Sequence, residues 1–219
     1  MNNISRSNIE DLLEQGRVAL DNAKTTSEIL NLLTPLGYGN AKLTEGIQVR
    51  DDLHTKYQDQ IRLYAQQQES TDRLKKAQQD AKILYDRHFG IAKALLKQKP
   101  ELMTRLGMKG ARATKLSLWL EQADQFYRES LADADIMTLL APGGLDADVL
   151  DEGKIAIQHV GEMDNAQESA KGLAQQSTQV RNEAYFTFKT WMDRFWKIAD
   201  VALAESPQWQ ERLGRVVKS

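Results

Sequence analysis

The chain repeats itself, and that narrows its possible folds more than any single motif does. Leu32-Leu33-Thr34-Pro35-Leu36-Gly37, followed by Leu43 and Glu45-Gly46, returns 107 positions later. There it reads Leu139-Leu140-Ala141-Pro142-Gly143-Gly144, followed by Leu150 and Glu152-Gly153. Laying residues 9–107 over 116–214 without a gap gives 26 identities in 99 positions. Unrelated sequences of average composition match at roughly one position in sixteen. All four prolines pair, Pro35 with Pro142 and Pro100 with Pro207. Solenoid repeats run about 20 to 50 residues, so this period describes a duplicated domain. The expectation is a tandem duplication of a ~107-residue helical unit, 1–107 and 108–219, with approximate two-fold symmetry. The two copies are free to pack as one bundle.

Each copy reads as helix nearly throughout, so the expected fold is all-α and bundle-like. Ile9, Leu12, Leu13, Gly16, Ala19, Leu20 and Ala23 keep helical spacing, with Ser7 or Asn8 as N-cap candidates. Thr25-Thr26-Ser27 is a place for a kink or restart. Pro35 disfavours helix at Thr34, and Gly37 and Gly144 suit the left-handed residue that closes a helix end. Asn40 and Asp146 are candidate caps for the segment that follows. That segment, 41–98, contains no proline, and its counterpart spans roughly 149–205. It either continues as one helix, straight or kinked, or folds back near Gln68 to Asp72. Ala65-Gln66-Gln67-Gln68-Glu69 are helix formers without a turn residue, which favours continuity. Gly46 and Gly153, retained inside helices, suggest close helix approach. Lys99-Pro100 and Ser206-Pro207 each open a short helix with proline first, where its missing N–H costs nothing.

No cysteine is present, which removes disulfides, thiolate metal sites and cysteine nucleophiles. No apolar run reaches the ~18 residues of a membrane span. The N-terminus lacks the basic-then-apolar order of a signal peptide. Together these point to the cytoplasm. Residues 1–110 carry 17 basic against 14 acidic side chains, and 111–219 carry 12 against 17. Neither imbalance is the footprint of nucleic-acid binding.

Catalytic constellations are hard to find. Di-iron bundles use Glu-x-x-His pairs. His54, His88 and His159 are the only histidines, and none follows a glutamate by three residues. No metal and no cofactor are expected, and His88 reads as a hydrogen-bonded core histidine. No Gly-x-Ser-x-Gly elbow exists, and Gly107-Met108-Lys109-Gly110 lacks phosphate-loop spacing. Arg105, Lys109, Arg112 and Lys115 form a short basic cluster, read as a solvated linker.

Aromatic residues are uneven, five in 1–110 against ten in 111–219. Tyr185, Phe188, Met192, Phe195, Trp196 and Ala199 share one helical face and read as core. Phe186 points away from that face and Trp191 flanks it, so these two are the partner-binding candidates. Gln68 and Thr71, matched by Gln175 and Thr178, are polar residues in an apolar seam and candidates for setting helix register. The functional expectation is a non-enzymatic structural or interaction protein, working through helix surfaces on a protein partner or a second copy. The alternative is a ligand- or metal-binding helical bundle, extending to an enzyme. A cleft holding His88 or His159 with two or more carboxylates would support that alternative.

Overall fold

A computed structural model describes residues 4–215, and every regular element in that range is helical. The order is α1 (Arg6–Thr25), α2 (Ser27–Leu33), α3 (Asn40–Leu95), α4 (Pro100–Arg105), α5 (Leu116–Ala132), α6 (Ala134–Leu140), α7 (Ala147–Ala202) and α8 (Pro207–Arg212). Short 3₁₀ turns, Thr34–Leu36 and Ala141–Gly143, follow α2 and α6. Shifted by 107, the bounds of α2, α3, α4 and the first 3₁₀ turn coincide with those of α6, α7, α8 and the second. Among the described residues no helix is long and apolar enough to cross a membrane.

Local chemistry explains most of these boundaries. Ser5 caps α1, its hydroxyl accepting from the Asn8 N–H at 3.2 Å. Ser7 and Asn8, the expected caps, lie inside the helix because Ser5 already has the extended backbone of a cap. Thr26 breaks the helix in extended geometry, and α2 restarts at Ser27. At the matching break Asp133 does the same, accepting from Asp135 and Ile136 N–H at 2.9 and 3.2 Å. Those bonds, foremost the one from Ile136, and Arg105 hold its carboxyl below the usual range.

Thr34 remains helical despite preceding proline. Pro35 is taken up at the start of the 3₁₀ turn, and Gly37 closes that turn at φ 86°. Asp146 caps α7 as expected, accepting from the Val149 N–H at 3.0 Å. Asn40 is instead the first residue of α3, where the carbonyl of Gly39 accepts from Leu43. α4 and α8 begin on proline and end alike. Met108 N–H donates to the Met103 carbonyl and Arg215 N–H to that of Gln210, either side of left-handed Gly107 and Gly214.

α3 and α7 are each unbroken over 56 residues, so the chain does not fold back near Gln68. It divides into two compact units. The first comprises 1–64 and 173–219, and the second is 65–172. Each therefore takes the front of one sequence half and the back of the other.

The first unit closes over Ile9, Leu20, Ile29, Leu33, Leu43 and Leu53, with Phe188, Met192 and Phe195 from α7. The second closes over Tyr85, Phe89 and Leu96 of α3, Trp119, Phe126 and Tyr127 of α5, and Ile136, Leu140, Leu150 and Val160. Helix length comes from the absence of proline, and helix position comes from these apolar stripes.

Candidate interaction groove

Both aromatic candidates reach one groove of the first unit, where the start of α3 lies beside the end of α7. It holds about 480 Å³ and is lined by Tyr38, Lys42, Glu45, Val49, Phe186 and Trp191, among others. The two residues occupy different depths. Phe186 is 52% exposed, whereas Trp191 is only 8% exposed.

Trp191 is the floor, and its position rests on a glycine. A Cβ on Gly46 would lie 2.4–2.8 Å from three carbons of the indole, so only glycine leaves room. The close approach expected at Gly46 is thus by a side-chain ring rather than by another backbone. The indole stacks on Phe195 at 5.7 Å and meets Tyr38 edge-on at 5.7 Å. Its N–H donates to Glu45 Oε1 at 3.2 Å. Glu45 also accepts from Lys42 Nζ at 2.7 Å, and Lys42, with the indole N–H adding to it, holds the carboxyl below its ordinary range. Thr187, Thr190 and Arg194 complete the lining.

Gly153 plays the matching part in the second unit, where Tyr127 from α5 covers it with a would-be Cβ contact of 2.4 Å. Tyr127 also shares a hydrogen bond of 3.1 Å with Nδ1 of His88, a residue only 3% exposed. Burial, reinforced by Arg87, pushes the His88 pKa below its usual value. Burial likewise raises the hydroxyl of Tyr127, and it pushes Tyr85 up to about 12. The Tyr85 hydroxyl is buried without a hydrogen-bond partner.

The excess of aromatics in the second half of the sequence now has a structural use. α5 supplies Trp119, Phe126 and Tyr127 to one core, and α7 supplies Phe188, Trp191 and Phe195 to the other. Both donor helices lie beyond residue 110. What remains at the surface on this stretch is Phe186.

The four register candidates are not brought together. Gln68 and Gln175 are exposed, and the part-buried Thr71 bonds the Gln67 carbonyl of its own helix. Thr178 alone crosses between helices, accepting from Gln60 Nε2 at 3.2 Å and sharing a 3.1 Å bond with the Tyr64 hydroxyl. The basic cluster is partly consumed. Arg105 pairs with Glu129 and Asp133, and Arg112 pairs with Asp86 while lying 4.4 Å over the Phe89 ring.

Among the described residues no three His, Asp or Glu side chains converge as a metal ligand set. The cleft beside His159, of about 470 Å³, contains Arg73 and Lys76 but a single carboxylate, Asp80. Sequence reasoning missed Tyr38, Lys42 and Glu45 as parts of the groove. The glycine at 46 was the available signal, since glycine is costly inside a helix and this one recurs at 153. Comparison with known protein families, curated proteins and solved structures finds no match for this chain.

Proposed function

We propose that the chain is a tandem duplication whose two halves exchange their helices to build two related units, and that it is a non-enzymatic structural or interaction protein working through helix surfaces. Volume traded across equivalent contacts supports the duplication. Gly16 receives Phe188 in the first unit, and the corresponding positions in the second are Ala123 and Ala81. Leu20 and Phe195 in one correspond to Tyr127 and His88 in the other. Phe188 and Phe195 of α7 align with Ala81 and His88 of α3, and Phe126 and Tyr127 of α5 align with Ala19 and Leu20 of α1, so the aromatic bulk comes from α7 in one unit and from α5 in the other. Such a change of donor helix at equivalent positions keeps each core filled and fits one ancestral packing scheme. The Leu-Leu-x-Pro corners then occupy equivalent places under a pseudo-two-fold.

The interaction reading rests on one observation: the half-exposed Phe186 ring on the rim of a groove floored by Trp191 and walled by Tyr38 and Val49. Aromatic residues set in shallow clefts are the usual anchors of protein interfaces. A second copy is the partner proposed, with Thr178 setting register inside each chain, and the cytoplasm is the compartment. Light scattering coupled to size exclusion, run across a concentration series, tests this. Self-association gives a mass above the 24.8 kDa of one chain. Phe186→Lys then returns it to one chain with helicity unchanged. A wild-type mass of one chain at every concentration rules out the self-association.

A further inference from the structure

Among the described residues, Arg181 is the one basic side chain that the first unit buries. It is 4% exposed, and its Nε has no hydrogen-bond partner. Every aspartate and glutamate of the chain lies among the described residues, and none forms an ion pair with it. The groups close enough to act on its charge are the phenols of Tyr64 and Tyr57. Phenols in general carry no charge at neutral pH, and Tyr57 is held further from ionising by burial and by its hydrogen bond to Glu10. A guanidinium stays charged in proteins, so it cannot escape burial by giving up its proton. Uncompensated buried charge is strongly unfavourable, and buried arginines are otherwise found paired.

Packing does not require the residue. The corresponding position in the first half is Leu74, partly buried against the second core, so the seam accepts an aliphatic side chain of this register. The surroundings instead gather donors. Thr178, one turn before Arg181 on α7, is joined to the Gln60 amide and the Tyr64 hydroxyl of α3.

We propose that Arg181 anchors a binding site for a small oxyanion, a carboxylate or a phosphate, in the α3–α7 seam of the first unit. The planar fork of N–H groups matches two oxygens of such an anion, and Tyr64 and Gln60 complete its shell. Tyr64 is 45% exposed and lies close enough to Arg181 to act on its charge.

The full chain is titrated with inorganic phosphate and, separately, with acetate, with ionic strength held constant by sodium chloride. Binding heat is measured directly, and stability is measured by urea unfolding at each concentration. Above its Kd, each tenfold rise in a bound anion raises the folding equilibrium constant about tenfold. The expected slope is near one for at least one anion in the wild type and near zero in Arg181→Leu. That variant should fold at least as stably without anion. Response to phosphate alone identifies a tetrahedral group, and response to acetate alone identifies a carboxylate. Should Arg181→Leu not fold, Tyr64→Phe serves in its place and weakens binding several-fold. Equal slopes in wild type and variant mean an adventitious ion only and overturn the proposal, as does a wild type indifferent to both anions.

Discussion

Replacing Gly46 by alanine should destabilise the protein, although alanine is the better helix former. The helix-interior gain from glycine to alanine is about 1 kcal/mol. Against it stands the indole of Trp191, whose nearest carbons would sit 2.4, 2.5 and 2.8 Å from the new Cβ. Carbon atoms prefer about 3.5–4.0 Å, so the ring must retreat by roughly 1 Å. It has little freedom to do so, held by Glu45, by Phe195 on its face and by Tyr38 on its edge. Overpacking of this kind costs about 1–3 kcal/mol, which leaves a net loss of about 1 kcal/mol. Gly90 and Gly172 lie in the same two long helices, with nothing within 4 Å of a would-be Cβ. Alanine at either should stabilise by roughly 0.5–1 kcal/mol. Urea unfolding followed by circular dichroism measures the difference as a shift in midpoint at constant slope. In a Trp191→Leu background, which places there the residue found at position 84, Gly46→Ala should turn favourable. A Gly46→Ala that stabilises as much as Gly172→Ala would refute the assignment of the glycine to the ring.

Acid should weaken the second unit through His88. Burial keeps its folded pKa below the unfolded value near 6.5, so its contribution is present above that pH and is lost as pH falls through the folded pKa. His88→Phe, the residue at the corresponding position 195, should flatten the urea midpoint between pH 7 and pH 5, and an unchanged slope would show that other groups carry the effect. Tyr85→Phe removes a buried hydroxyl that has no partner, so stability should hold or rise by up to about 1 kcal/mol in the same assay. Trp191→Ala should cost about 3 kcal/mol and Phe186→Ala less than about 1 kcal/mol, a ranking that thermal unfolding checks directly. Comparable losses at the two positions would mean that Phe186 belongs to the core.

Helix content was readable because it depends on what each sequence stretch lacks and repeats. The absence of proline from 41 to 98 and the helix formers at 65–69 correctly favoured one continuous α3. The cap at Ser5 was missed because several neighbouring polar residues qualify, and only backbone geometry chooses among them. The depth of Trp191 was not readable for a related reason. A helical wheel gives its direction but not the depth of what faces it, and the missing side chain that receives it is 145 residues away at Gly46. Arg181 was passed over although the sequence marked it, since it replaces the Leu74 of the other half. A charge in a seam position draws notice only once no carboxylate is found beside it, and that is a three-dimensional fact.

The division into units has a consequence for the order in which the protein can be made. The second unit is one uninterrupted stretch, 65–172, whereas the first needs both 1–64 and 173–219. A chain synthesised from its N-terminus therefore completes its inner unit while α1, α2 and the front of α3 still lack Phe188, Met192 and Phe195. At roughly 5–20 residues per second, those helices wait several seconds with their apolar faces open until the end of α7 emerges to cover them. Of the segments that build the first unit, the one made earlier in this way stays uncovered until the second unit is complete.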